Sequence, residues 1–126
     1  KMNLGELHTI ASLDLPVKIL MLNNRSDGMV QNLQDAAYEG VRTGTQRQKD
    51  VHFAEIARSF GFNYAKRIRN RQDLRQGIED LLAGKGPCFL EVCTDSEEIL
   101  YPKVPAGGAY KDMILGPYIK HVQTGL

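Results

Sequence analysis

The sequence contains no tryptophan, only two cysteines and almost no excess of charge of either sign. Sixteen Lys and Arg residues against fifteen Asp and Glu leave a formal net charge of +1, so no overall field attracts nucleic acid or an anionic membrane. The longest apolar run, 17–22, includes a lysine and is too short to span a bilayer. The N-terminus lacks both a signal peptide and an initiator methionine. We therefore expect a piece of a longer protein, with no nucleic-acid or membrane partner.

The two cysteines predict neither a disulfide nor a zinc site. Cys88 and Cys93 lie in one predicted strand, where an offset of five residues points them to opposite faces about 16 Å apart, beyond disulfide reach. No Cys-x-x-Cys motif is present, so zinc binding is not indicated. Reduced thiols and a cytoplasmic location are the expectation.

Alternating helices and strands predict an α/β domain. Helical crossovers between strands require a parallel sheet covered on both faces, a three-layer αβα arrangement with a mainly parallel sheet. Residues 39–49 have no periodicity and are predicted to form a long exposed loop, which is often a functional lid. Residues 95–126 are predicted to be a Pro- and Gly-rich C-terminal extension of the same domain. Helices are predicted at 2–13, from 29 onward, at 51–60 with Asp50 as cap, and after Asn70 as cap up to Gly84. Strands are predicted at 17–22, 62–68 and 88–94.

A polar turn, 23–28, directly follows the first predicted strand, where open parallel sheets bind their ligands. Asn, Ser, Asp and Gly are ordinary turn formers, and spacing alone favours that simpler interpretation. In the functional alternative, amide and backbone oxygens ligate a hard cation such as Mg²⁺, and Gly28 lets the backbone approach a phosphate. Asp27 is then the obvious carboxylate ligand.

The remaining candidates carry little chemistry. Three histidines, His8, His52 and His121, form no metalloprotease motif and have no serine elbow nearby. The basic run at 66–71 has no interleaved aromatic residues, so it is interpreted as a solvated strand end and helix start rather than a nucleic-acid site.

Segments along nearly the whole chain, taken in sequence order, resemble one known protein domain. It is the C-terminal thiamine-diphosphate-binding domain of the acetolactate synthase (acetohydroxyacid synthase) large-subunit family. The resemblance implies that 1–126 is this domain without its N-terminal part. The residues that carry it are Leu4, 6–7, 16–19, 22–30, Gln34, 38–39, Phe53, Ile56, Ala57, Gly61, 86–92 and 102–108.

The resemblance also implies a site at the polar turn. The side-chain oxygen of Asn24 and the backbone carbonyl of Ser26 would bind Mg²⁺, so the Ser26 side chain would be replaceable and Asp27 need not be a ligand. Gly28 and Met29 would lie along the thiamine diphosphate. The activating glutamate of the family lies in a domain that this sequence lacks, so no catalytic residue is expected here, and the isolated piece is expected to be inactive.

The implied activity is decarboxylation of a 2-keto acid and ligation of the product to a second carbonyl. Met29 and Leu33 would line the substrate pocket, and Leu33 stands where the family commonly has a tryptophan. This departure keeps open a thiamine-diphosphate-dependent decarboxylase or oxidase, and a non-catalytic α/β interaction module is a third alternative. The parent protein is expected to be a homodimer or homotetramer; FAD could bind the parent but not this segment.

Overall fold

The computed structural model describes residues 3–45, 49–97, 101–105 and 107–116. The chain forms two compact units, 1–96 and 97–126, and each is described by itself. In the described residues of the first unit, four helices and three strands alternate: α1 (Glu6–Ser12), β1 (Lys18–Asn23), α2 (Gly28–Ala37), α3 (Phe53–Ser59), β2 (Tyr64–Ile68), α4 (Leu74–Ala83) and β3 (Cys88–Cys93). A 3₁₀ turn, Arg71–Asp73, leads directly into α4.

The three strands form an all-parallel sheet in the order β1-β3-β2. From β1 to β2 the chain crosses the sheet in one direction, and from β2 to β3 it returns to the middle. Since crossovers of this kind are right-handed, the two connections place their helices on opposite faces. This confirms the predicted αβα arrangement.

Each face of β3 packs into its own apolar cluster, because successive side chains of a strand point to opposite faces. Phe89 joins the cluster of α1, α3 and β2, where its ring meets that of Phe62 edge-on at 6.1 Å. Cys88 and Leu90 join a smaller cluster with Ile68 and α4. Both cysteines are free, as their spacing predicts.

The first strand is less buried than its sequence suggests. It lies at the edge of the described sheet, and its apolar side chains Leu20 and Leu22 are 50% and 67% exposed. Lys18, the charged residue of this apolar run, donates from Nζ to the carbonyls of Gly84 at 2.6 Å and Gly86 at 2.7 Å. The lysine therefore ties β1 to the loop that leads into β3.

Both predicted helix caps were wrong: the Asn70 side chain makes no capping bond, and Asp50 binds elsewhere. Asp50 was expected to cap the helix at 51–60, but α3 begins at Phe53, with His52 at the capping position and no capping bond from the His52 side chain. The Asp50 carboxylate instead binds Arg67 at 2.6 Å and Arg69 at 2.7 Å. Two cations from β2 and its end attract this carboxylate more strongly than a helix start does.

In the second unit, Lys103 and Ile114 form an isolated antiparallel bridge, and a 3₁₀ turn covers Tyr110–Asp112. The Tyr101–Pro102 peptide bond is cis. Other parts of the predicted extension 95–126, namely 98–100, Ala106 and 117–126, lie outside the described residues, as does His121. Within the described parts of the chain, no helix is long and apolar enough to cross a membrane.

Candidate functional site

The polar turn joins the end of β1 to the start of α2, at the carboxyl edge of the sheet. Two side-chain amides shape it. Asn23 Oδ1 accepts from the Arg25 amide at 2.9 Å, and Asn24 Oδ1 accepts from the Ser26 amide at 3.1 Å. Arg25 is in the left-handed region, with φ of 56°, which a non-glycine residue adopts only at a cost. The two side-chain bonds stabilise this tight turn and bring Asn24 and Ser26 together.

Ser26 is buried, and its side chain has contacts of its own. The hydroxyl lies 2.6 Å from Gln31 Oε1 and 3.2 Å from the carbonyl oxygen of Thr45. The amide of Asp27 also donates to that carbonyl at 2.9 Å. The expectation that a different side chain at residue 26 is tolerable did not take these contacts into account, because the sequence does not show that Gln31 and the distant Thr45 meet this hydroxyl.

The described part of the predicted lid, 39–45, is bonded to α2. Gln34 donates from Nε2 to the Thr43 carbonyl at 3.0 Å and accepts from the Thr43 amide at 3.2 Å. Arg42 forms a two-pronged ion pair with Asp35, at 2.8 and 2.9 Å. The buried Thr45 completes the attachment through its contact with Ser26.

Gly28 begins α2 directly beneath Asn24. A Cβ atom at this position would lie 2.8 Å from Asn24 Nδ2, a distance that requires one of the groups to move. The absence of a side chain at residue 28 therefore leaves room for the Asn24 amide. The structure thus brings Asn24, Ser26 and Gly28 together, as the sequence predicts.

Met29 and Leu33 lie on the exposed surface of α2, with 79% and 57% of their surface accessible. Leu33 lines a groove of about 650 Å³ between α2 and the segment that follows it. Met29 does not line this groove. The other lining residues are Val30, Gln34, Ala37, Tyr38, Glu39, Val41 and Thr43.

Behind the turn lies a fully buried carboxylate that sequence reasoning missed. Glu91 is in the middle of the central strand and is 0% exposed. Its Oε1 accepts from Asn23 Nδ2 at 2.6 Å and its Oε2 from the Ala54 amide at 3.1 Å. Arg67 Nε lies 3.5 Å from Oε1. A single charged residue inside an otherwise apolar parallel strand is the sequence signal that indicates such a site.

Arg67 is only 10% exposed, so the interpretation of the basic run as a solvated strand end and helix start is wrong for this residue. It contacts Glu91, Cys93 Sγ at 3.0 Å and Asp50. Burial opposes the charged form of Arg67, but the hydrogen bond to Asp50 and the other contacts outweigh it and raise the Arg67 pKa. The same hydrogen bond, supported by the charges of Arg67 and Arg69, lowers the pKa of Asp50.

The donor atoms of the turn suit a hard cation. Asn24 offers an amide oxygen and Ser26 a backbone carbonyl, and oxygen is the ligand that Mg²⁺ prefers. The Asn24 oxygen accepts one hydrogen bond, and an amide oxygen has two lone pairs, so one remains for a metal. No group of three His, Cys, Asp or Glu residues is arranged to hold a metal within the described ranges.

Comparison with known proteins identifies the class. The family model for the C-terminal TPP-binding domain of thiamine pyrophosphate enzymes matches residues 1–92. The chain therefore belongs to this family of thiamine-pyrophosphate-binding domains.

Its curated relatives are acetolactate synthases, which confirms the resemblance seen in the sequence. The mitochondrial enzyme of Schizosaccharomyces pombe is 40% identical over 110 residues, which are 87% of this chain and 16% of that protein. Acetolactate synthase 2, chloroplastic, of Nicotiana tabacum is 39% identical over 120 residues, 90% of this chain and 18% of that protein. Acetolactate synthase 1, chloroplastic, of Zea mays is 37% identical over 120 residues, which are 90% of this chain and 19% of that protein. The chain thus spans less than a fifth of the length of these relatives.

Proposed function

We propose that this chain is the thiamine-diphosphate- and Mg²⁺-binding portion of an acetolactate-synthase-like enzyme. The full-length protein would decarboxylate a 2-keto acid and ligate the product to a second carbonyl. The observation that carries the proposal is the turn at the end of β1, where Asn24, Ser26 and Gly28 lie together in a chain of this family.

Each residue of the turn has a separate task in this proposal. Asn24 Oδ1 and the Ser26 carbonyl would ligate Mg²⁺, with the other ligands coming from the diphosphate, water and an aspartate outside this chain. Gly28 would leave space for the Asn24 amide and let the backbone approach the diphosphate. Thiamine diphosphate supplies, when bound, the electron-sink chemistry by which a 2-keto acid loses carbon dioxide. Met29 and Leu33 would present an apolar wall to the substrate.

Asn24→Ala in the full-length protein tests the cofactor site. We expect a large loss of Mg²⁺-dependent thiamine diphosphate binding, measured by titration calorimetry, because one oxygen ligand disappears. Asn70→Ala is the matched control, since Asn70 is an exposed asparagine whose side chain caps no helix. Wild-type cofactor affinity in Asn24→Ala would contradict the proposal.

A second candidate within the same cofactor class is a 2-keto acid decarboxylase or oxidase. Leu33 favours it, because the groove beside α2 is lined here by leucine where acetolactate synthases commonly carry tryptophan. Product analysis with pyruvate separates the two activities: acetolactate supports the carboligase, and acetaldehyde or acetate supports the alternative.

The non-catalytic module remains a third candidate, and the gene sequence upstream of Lys1 tests it. The family's thiamine diphosphate signature begins with Gly-Asp-Gly and ends with the Asn-Asn pair that stands here at 23–24. A Gly-Asp-Gly segment just upstream of Lys1, preceded by several hundred residues, would eliminate the non-catalytic module. If the carboligase proposal is right, the full-length protein would be a homodimer or homotetramer, and residues 1–126 alone would be inactive. FAD binding by the full-length protein stays open, and any FAD would bind outside this segment. The cytoplasmic location stays a prediction, and the relatives named above are mitochondrial or chloroplastic by their names.

A further inference from the structure

We propose that Glu91 is a positioning residue for the cation-binding turn. Its buried carboxylate orients the Asn23 amide, and that amide holds the 24–26 turn in the shape that presents the Asn24 and Ser26 oxygens. This inference rests on the proposed Mg²⁺ site. Glu91 itself would not touch the metal.

Glu91 determines which way the Asn23 amide faces. Asn23 Nδ2 donates to Glu91 Oε1 at 2.6 Å, and this turns Asn23 Oδ1 toward the Arg25 amide at 2.9 Å. A rotation of the amide by 180° would place a carbonyl oxygen against the carboxylate and an NH₂ group against the Arg25 N–H. Both contacts would become repulsive, so the carboxylate selects a single orientation.

The oriented amide stabilises the strained part of the turn. Arg25 has a φ of 56°, and its N–H belongs to the peptide that joins it to Asn24. Asn23 fixes this peptide from one side, while its own carbonyl accepts from the Thr94 amide at 3.0 Å and attaches the strand end to β3. These two hydrogen bonds of Asn23, from the Arg25 amide and from the Thr94 amide, therefore determine the direction in which the Asn24 side chain points.

Glu91 also contributes to the fold. It lies 3.5 Å from the nearly buried Arg67 and accepts from the Ala54 amide, and removing one partner of a buried ion pair is strongly destabilising. These two contacts do not account for the bond from Asn23 Nδ2 to Oε1 at 2.6 Å, which is the bond that orients the turn. This bond points to a positioning role in addition to the role in the fold.

A double-mutant cycle that exchanges the amide of Asn23 and the carboxylate of Glu91 tests this role in the full-length protein. Asn23→Asp places two carboxylates against each other, and Glu91→Gln leaves one acceptor for the two donors Asn23 Nδ2 and the Ala54 amide. In the double variant N23D/E91Q, the side-chain NH₂ group introduced at position 91 can donate to the new carboxylate at position 23, which still accepts from the Arg25 amide. The formal charge of the double variant equals that of the wild type, and Arg67 keeps its 2.6 Å bond to Asp50.

The measurement is the Mg²⁺ concentration that gives half-maximal thiamine diphosphate binding, by titration calorimetry. Each single variant should need roughly 10- to 100-fold more Mg²⁺, the usual effect of losing a group that orients a metal ligand. The double variant should need less than either single variant. Ile68→Ala is the control, because it removes a buried side chain from the other face of the sheet and should leave the Mg²⁺ requirement unchanged.

A double variant no better than Glu91→Gln would overturn the proposal, as would an equal rise in the Mg²⁺ requirement of Ile68→Ala. If Asn23→Asp does not fold, the comparison between Glu91→Gln and the double variant decides. Asn24→Ala separates failure of the proposed Mg²⁺ site from failure of the positioning role of Glu91. If it leaves binding intact, the metal site itself is wrong. If it abolishes binding while both single variants behave as wild type, only the positioning role is wrong.

Discussion

Gly28 and Asn24 are in such close contact that a side chain at residue 28 would meet the Asn24 amide. The Cβ position built on Gly28 lies 2.8 Å from Asn24 Nδ2. Gly28 adopts an ordinary helical conformation at the start of α2, so its backbone does not require glycine. The requirement comes from the neighbouring side chain, and it links the start of the helix to the proposed metal ligand.

Gly28→Ala is therefore expected to weaken Mg²⁺-dependent cofactor binding roughly tenfold or more, by the size of effects seen when a metal ligand is disoriented. The fold should not lose stability, because alanine favours a helix over glycine. Binding is measured by titration calorimetry and stability by thermal unfolding of the full-length protein. Gly5→Ala is the matched control, since nothing lies within 4 Å of a Cβ at Gly5. Equal Mg²⁺ titrations for the two variants would refute the prediction.

Ser26→Ala is expected to loosen the 39–45 segment. It removes the buried hydroxyl that bonds to Gln31 Oε1 and lies within reach of the Thr45 carbonyl. Leaving a buried acceptor without its donor costs about 1–3 kcal/mol. Hydrogen exchange of the Asp27 amide, which donates to Thr45, should become faster. Ser59→Ala, which removes an exposed hydroxyl bonded within α3, should leave that exchange rate unchanged; faster exchange in both variants would point to a general effect.

Lys18→Met is expected to destabilise the domain by about 2 kcal/mol, the range for hydrogen bonds from a charged group. The ammonium group of Lys18 donates to two backbone carbonyls, of Gly84 and Gly86, and methionine keeps the length of the chain but not the donors. Urea unfolding gives the measurement. Lys66→Met is the control, because Lys66 is 43% exposed and lies 3.8 Å from Asp80. A stability loss in Lys66→Met as large as in Lys18→Met would argue against a specific role of the two carbonyls.

The Asp50–Arg67 pair predicts a pH dependence of stability. Hydrogen bonding to Arg67 lowers the Asp50 pKa below its ordinary value of 3.8, so the folded state favours the ionised carboxylate. This contribution is fully present above the unfolded pKa and is lost as pH falls through the folded pKa. The difference in unfolding free energy between wild type and Asp50→Asn should be constant near neutral pH and shrink below about pH 4. A difference that grows as the solution is acidified would contradict this sign.

Local patterns were sufficient for the elements of the fold. The apolar stretch in β3 and the amphipathic spacing of α4 identify a strand and a helix, because periodicity reflects which face is buried. The turn at 23–28 was also recognisable by composition, and its position after a strand pointed to the ligand-binding edge of the sheet. The assignment of Asn24 and Ser26 as ligands came from family resemblance and stays a proposal.

Contacts between distant residues were not predictable in the same way. Asp50 looks like a helix cap in the sequence, yet Arg67 and Arg69 arrive from β2 and bind it. Ser26 looks replaceable until Thr45, nineteen positions away, is brought onto its hydroxyl. In each case the side chain could form more than one local hydrogen bond, but in the folded chain it binds a residue that is distant in sequence.

The amino-acid sequence by itself determined the alternation of helices and strands, the parallel sheet and the place of the polar turn. These follow from periodicity and from the handedness of crossovers, which are properties of short segments. The tertiary structure decided that Glu91, Asn23 and Arg67 meet behind that turn. Strand order and register decide such meetings: Arg67 lies opposite Glu91, and Asn23 lies two positions further along β1 on the same face of the sheet. No single segment contains that information.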